Sequence, residues 1–165
     1  MQKNKQYQDN IVKTELENGV RIISEKVPGV RSVSTGIWVG TGSRHEKEGR
    51  EGISHFIEHL MFKGTKNRSA VDIAEALDSV GGQLNAFTTK EYTCYYTKTL
   101  DEHFSLGLDV LSDMFFNSTF SEKAIEKERG VIEEEIKMYE DTPDDLIHDY
   151  LCKLFGLTIL WANRF

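Results

Sequence analysis

Apolar positions recur with two different periods along this 165-residue chain, and the change of period marks out its elements. From Thr14 to Val27 they alternate on either side of Asn18-Gly19. That pattern predicts a β-hairpin with strands Thr14–Glu17 and Val20–Val27 closed by a two-residue turn. Val30 to Val39 is rich in β-branched residues and predicts another strand. From Glu51 to Lys63 the period lengthens to that of a helix. Ile53, Phe56, Ile57, Leu60 and Met61 share one arc at about 100° per residue, and Gly64 offers a stop. Ser69 caps a second helix that runs to Val80 and ends at Gly81-Gly82. Gln83–Thr89 and Tyr92–Leu100 form a second strand pair. Beyond them the pattern is helical: Asp101–Asn117, Ser121 to Tyr139, and a segment begun by Thr142 as cap and Pro143 at the first position. This order predicts an α+β fold, a mixed, largely antiparallel sheet with helices packed on one face. There is no internal repeat or clear interdomain linker.

Composition narrows the class. Hydrophobic content of 39% and charged content of 28% describe a soluble globular protein, and no apolar run is long enough to cross a bilayer. The N-terminal Met1–Gln6 stretch leads into polar residues with no secretory or transit pattern. Cys94 and Cys152 follow no metal or redox spacing and read as reduced, buried thiols, which points to a cytoplasmic location. A net charge of −7 argues against a nucleic-acid partner. The charge is uneven: residues 101–150 carry 15 acidic and 4 basic side chains. Solvated helix faces are the plain explanation, and a chamber that attracts basic peptides is the sharper one.

The most informative chemistry lies on the first predicted helix. In His55-Phe56-Ile57-Glu58-His59 the two imidazoles stand one turn apart, off the apolar arc, at Cβ separations of about 5–6 Å. Rings so placed can converge on one ion at zinc–nitrogen distances of about 2.0–2.1 Å. Glu58 lies beside the same face, where it could accept a proton from water. The order is H-x-x-E-H, the inverse of the commoner H-E-x-x-H signature. An exposed amphipathic helix with two polar histidines would place these residues on the same side. His45, His103 and His148 have no comparable neighbours and read as surface or turn residues.

A catalytic zinc site usually has three protein ligands. The third candidate comes from Glu128-Arg129-Gly130-Val131-Ile132-Glu133-Glu134-Glu135-Ile136. With Glu128 at zero on the helical wheel, Val131, Ile132, Ile136, Met138 and Tyr139 all fall within about 80°. Glu135 sits about 20° away, centred on that arc, whereas Glu133 and Glu134 point outside it. A carboxylate on an apolar face needs a cation, and a divalent metal supplies one. Glu135 is therefore the expected ligand and Glu128, two turns earlier, a supporting carboxylate. The plainer reading is a surface helix whose glutamates pair with Lys127, Arg129 and Lys137.

These two motifs, with the flanks Gly49-Arg50-Glu51-Gly52-Ile53-Ser54 and Leu60-Met61-Phe62-Lys63-Gly64-Thr65, resemble the pitrilysin/insulinase family of zinc metallopeptidases. The likeness is greatest to bacterial processing proteases similar to the β subunit of mitochondrial processing peptidase. It covers roughly residues 10–155. What the resemblance implies is a zinc-dependent metalloendopeptidase that hydrolyses extended or unfolded peptides, with residues 1–155 as its N-terminal zinc-binding catalytic domain. It implies that His55, His59 and Glu135 hold one zinc ion, that Glu58 is general base toward a metal-activated water, and that Glu128 orients a ligand as part of the catalytic set. Asn85, Ala86, Phe87 and Thr88 resemble the edge strand on which family substrates lie as an added strand. An ordinary hairpin strand would look the same.

Family members continue well past this length, into further strands and a second, similar half that closes over the metal. The chain is thus expected to be an incomplete first half of a pitrilysin-type fold, with a second homologous half or subunit as partner. Residues 156–165 depart from the Pro-Leu-Gly-x-Pro-Ile-like run of the family. A one-base shift across Gly156-Leu157-Thr158 permits Gly-Leu-Pro, which makes a frameshifted or truncated gene one reading of this tail. These departures predict zinc binding with weak or no proteolysis for the isolated chain. The competing readings are a non-catalytic scaffold or partner subunit of the same family, and metal binding without chemistry, in which Glu58 has no role.

Overall fold

The computed structural model of the protein describes residues 5–8 and 10–154, so Cys152 at the level of its side chain, and the tail 156–165, lie outside the described residues. The chain divides between Arg31 and Ser32 into two compact units.

The first unit is a three-stranded antiparallel sheet in the order β1 (Lys5–Gln8), β2 (Ile11–Glu15), β3 (Arg21–Glu25). The apolar pattern does not announce β1, because Lys-Gln-Tyr-Gln offers no alternation. Backbone pairing with β2 holds it, with a register shift between Gln6 and Gln8. The predicted hairpin is present, but its loop is wider than a two-residue turn. Leu16 N–H donates to Val20 O at 2.8 Å and Gly19 N–H to Leu16 O at 3.0 Å. Gly19 takes φ 85, which a residue with a Cβ adopts at a cost, so the strands end at Glu15 and begin again at Arg21. Ile22 and Ile23 of β3 are exposed.

The second unit carries the chemistry. Its elements are β4 (Ser32–Val39), α1 (Ile53–Met61), α2 (Ala70–Asp78), β5 (Gln83–Thr88), β6 (Thr93–Leu100), α3 (Phe104–Asn117), α4 (Glu122–Glu140) and α5 (Pro143–Leu154). The sheet is antiparallel in the order β4-β6-β5, which leaves β5 at an edge. Register puts Ile37, Tyr95 and Ala86 in one cross-strand row and Trp38, Cys94 and Phe87 in the next, so the two rows face opposite sides. The expected class, α+β with helices on one face of an antiparallel sheet, is what forms. It is built as two three-stranded sheets, and every described strand pair is antiparallel.

The core lies between the Tyr95 row and the helices. Met61, Ile73, Leu77, Tyr95, Val110, Leu111 and Met114 are buried together. Each aliphatic side chain there contributes roughly 1.5–3 kcal/mol by leaving water. Burial corrects two predicted arcs. Of the apolar arc on α1 only Leu60 and Met61 are buried, while Ile53 and Ile57 remain about two-fifths exposed. On α4, Val131 and Met138 are exposed, and the one buried residue is the carboxylate Glu128. Boundaries shift slightly. A short 3-10 turn (Asp101–His103) replaces the first residues of the predicted third helix, and Ser69 and Ser121 cap α2 and α4 by accepting N–H bonds from Asp72 and Ala124.

Candidate metal centre

Helix α1 starts without a capping side chain of its own. Glu46, in the preceding loop, fills that role: Oε2 accepts the Gly52 N–H at 2.7 Å and Oε1 accepts the Ser54 N–H at 2.8 Å. A carboxylate there satisfies two helix-end donors and complements the positive end of the helix dipole. The sequence gives no local sign of this, because Glu46 is six residues from Gly52 and outside any capping-box spacing.

The next turn presents His55 and the one after it His59. Their Nε2 atoms lie 3.2 Å apart with ring centroids separated by 4.5 Å. Helix α4 crosses beside α1 and brings Glu135 Oε2 to 3.5 Å from His59 Nε2 and 4.0 Å from His55 Nε2. Among the described residues, these three are the group of His, Cys, Asp and Glu side chains whose ligand atoms all lie within 4.8 Å of one another. Two nitrogens at about 2.05 Å from a tetrahedral ion would be about 3.3 Å apart, close to the spacing observed. Glu133 and Glu134 do not join the group; Glu134 instead pairs with Lys137 at 2.6 Å, one of the surface pairs the plain reading of the helix predicts. Glu135 differs from expectation in one respect. Its side chain is 45% exposed rather than sunk in an apolar face, because the neighbouring Val131 and Met138 are themselves exposed.

Glu128 is the buried carboxylate of this region, 3% exposed at its side chain. His59 Nδ1 lies 2.9 Å from Glu128 Oε1. An ionised carboxylate only accepts, so Nδ1–H donates, and Nε2 is the ring nitrogen that faces His55 and Glu135. Lys63 Nζ reaches the same Oε1 at 2.8 Å. Burial alone would raise the Glu128 pKa, but the bonds from Lys63 and His59 hold it below the usual carboxylate range. For His55, burial and then the adjacent His59 lower the pKa, which keeps the ring neutral and its lone pair available. The donor set, two imidazoles and a carboxylate, suits zinc, and the spacing fits it.

Glu58 points toward β5, where the Thr88 hydroxyl donates to its Oε2 at 2.5 Å. The Thr88 side chain faces inward, as do Leu84 and Ala86, while Asn85 and Phe87 face outward. Asn85 Oδ1 accepts from the Ala86 N–H at 2.8 Å. Lys63, Thr88 as partner of Glu58, and Glu46 are the functional neighbours that motif reading missed. Lys63 alone left a signal, being four residues after His59 on the same helix face. His45 serves as a turn residue, accepting the Gly42 N–H at Nδ1 over 3.2 Å. A cleft of about 280 Å³ opens beside His55, lined by Phe56, Arg129, Ile132 and Ile136.

A sequence model of the insulinase family (Peptidase family M16) matches residues 21–155. This chain belongs to that family. Among insulinase-family relatives, it is 63% identical over 137 residues to the uncharacterized zinc protease YmxG of Bacillus subtilis, covering 83% of this chain and 34% of that protein. It is 51% identical over 151 residues to an uncharacterized zinc protease of Streptomyces coelicolor, covering 92% of this chain and 32% of the relative. A crystal structure of a protease from Helicobacter pylori superimposes with a TM-score of 0.77 at 26% identity, covering 88% of this chain and 34% of that one. The chain thus spans about a third of the length of the relatives it matches. No described helix is long and apolar enough to cross a membrane.

Proposed function

We propose that this chain carries the metal-binding catalytic domain of a zinc-dependent endopeptidase that acts on extended or unfolded peptides. The observation that carries the reading is the convergence of His55 Nε2, His59 Nε2 and Glu135 Oε2 within 4.8 Å, beside Glu58. These three residues would hold one zinc ion. When bound, zinc supplies a Lewis acid that makes water a stronger nucleophile near neutral pH and polarises a carbonyl. Glu58 is the general base that takes the proton from that water and then delivers it to the leaving amine. Thr88 orients Glu58 through its hydroxyl. Glu128 fixes the ring of His59 from the far side.

Substrate would add as a strand along β5, where Asn85 to Thr88 offer main-chain groups. The Ala86 N–H, now taken by Asn85 Oδ1, is a donor that an incoming carbonyl could claim. This mode accepts many sequences provided the peptide is extended. A second homologous half or subunit would close over the metal, and the compartment would be the bacterial cytoplasm.

The test is elemental analysis of the chain purified without added metal, paired with cleavage of an unstructured peptide with and without chelator. One zinc per chain and weak, chelator-sensitive cleavage are expected, with Glu58→Gln abolishing turnover and retaining zinc. Absence of zinc would overturn the reading. A second reading is a non-catalytic partner subunit of the same family. It predicts that Glu58→Gln changes nothing measurable.

A further inference from the structure

We propose that Lys63 is a positioning residue for His59, acting through Glu128. Lys63 follows Phe62, the C-cap of α1, with its N–H donating to Leu60 O at 3.0 Å in the closing turn, four residues beyond His59. From there the two side chains reach one atom. His59 Nδ1 is 2.9 Å and Lys63 Nζ 2.8 Å from Oε1 of Glu128. His59 lies in the last turn of α1 and Lys63 just past its C-cap, so neighbouring groups grip the carboxylate oxygen from two directions.

That grip matters because Glu128 is nearly inaccessible to solvent whereas Lys63 is about one-third exposed at its side chain. A buried carboxylate needs a charged partner, and a single imidazole N–H leaves it one bond about which to turn. The ammonium supplies the second anchor and the opposite charge. With both in place, Oε1 stays where His59 Nδ1–H must point, and the opposite ring nitrogen is thereby aimed at His55 Nε2, 3.2 Å away. Removing Lys63 frees the carboxylate to swing and the His59 ring with it. The motif residues remain intact, yet the donor atoms lose their shared focus.

The inference rests on the zinc reading of the site, and its test separates the two. The dissociation constant for zinc is measured on the 165-residue chain by competition with a chromophoric chelator, for the parent, Lys63→Met and Lys63→Arg. Partners directly behind a metal ligand typically change affinity by about 10–100-fold. Lys63 acts one residue further out, so Lys63→Met is expected to weaken zinc about tenfold, and Lys63→Arg to recover most of that loss. Adding Lys63→Met to Glu128→Leu is expected to cause no further loss, because the acceptor that both side chains share is gone. Cobalt loaded in place of zinc reports the same geometry, with ligand-field bands shifted in Lys63→Met and restored in Lys63→Arg. A merely structural role would lower the unfolding temperature of the metal-free chain without this pattern. If Lys63→Met fails to fold, Lys63→Gln takes its place and is expected to fall between Met and Arg. Zinc affinity unchanged in Lys63→Met, an equal loss in the Glu128→Leu background, or no recovery with Arg each overturns the proposal. A parent chain that takes up no zinc overturns the metal reading, and this inference with it.

Discussion

The Thr88 hydroxyl donates to Oε2 of Glu58 at 2.5 Å, which joins the edge strand β5 to the metal-binding helix α1. One oxygen of the proposed base is thereby committed to the strand on which a peptide would lie, and the other is left for water.

Thr88→Val keeps the branched shape and removes the donor. Hydrogen bonds to charged groups are worth about 1.5–3 kcal/mol, and orientation of the base is part of a general-base contribution of roughly 10²–10⁴-fold. The residual peptide cleavage of the chain is expected to fall about tenfold while zinc affinity stays within about twofold of the parent, both read on the same preparation. A variant that lost zinc instead would move Thr88 from guiding the base to holding the ligands.

Glu46→Ala tests the cap of α1. Loss of an N-terminal cap typically costs about 1 kcal/mol, and here two N–H groups, Gly52 and Ser54, lose their acceptor together. The first turn of α1 contains His55, so fraying there loosens one metal ligand and leaves His59 in place. The expected outcome is a Tm lowered by a few degrees and zinc affinity weakened several-fold, with Glu46→Gln intermediate because one oxygen remains. Calorimetry and a zinc titration check both.

The parts of this molecule that follow a period were readable in its sequence, and those that depend on a partner from elsewhere were not. The helix carrying His55 and His59 and the helix carrying Glu128 and Glu135 each follow from apolar spacing, and the strands Gln83–Thr88 and Thr93–Leu100 from their β-branched and aromatic residues. Strand β1 is polar and exists through pairing alone, so no pattern announces it. The wheel put Glu135 on an apolar face, but the structure leaves that face partly open and buries Glu128 instead. A wheel knows the phase of a residue and not which stretch of the helix its neighbours cover. Glu46 on the end of α1 and Thr88 on Glu58 are contacts between segments, fixed by tertiary packing.

Gly42 marks one such junction. A Cβ placed there would lie 2.2 Å from the Thr89 carbonyl oxygen, 2.7 Å from the Tyr92 nitrogen and 2.8 Å from the Glu91 nitrogen, all backbone atoms. The same approach lets Ser43 N–H donate to Thr89 O at 3.1 Å and Arg44 N–H to Lys90 O at 3.0 Å. Gly42→Ala must part the loop from the β5–β6 turn and sacrifice those bonds. Overpacking of this kind costs about 1–3 kcal/mol, and chemical denaturation should show it. Amide exchange at Ser43 and Arg44 should speed up, whereas exchange in α3 should change only with global stability.

Asp113 governs the behaviour of the fold in acid. It is 5% exposed and accepts from Thr65 Oγ1 at 2.7 Å, Asn67 Nδ2 at 2.6 Å, Arg68 Nη1 at 2.8 Å and Asn117 Nδ2 at 2.9 Å. Burial by itself would raise its pKa, but these four donors hold it far below the ordinary carboxylate range. An acid whose folded-state pKa is depressed stabilises the fold above its unfolded value of about 3.9, and that contribution drains away as pH falls from there toward the folded-state value. Glu128, also depressed, acts in the same direction. Urea unfolding of the parent should therefore show stability level near neutrality and falling steeply below about pH 4. Asp113→Asn should lose about 2 kcal/mol at pH 7, since it removes a buried acceptor and leaves Arg68 with only the exposed Asp109 as counter-charge, and should show a shallower fall in acid. A variant whose acid profile runs parallel to the parent's would place the acid sensitivity in other carboxylates.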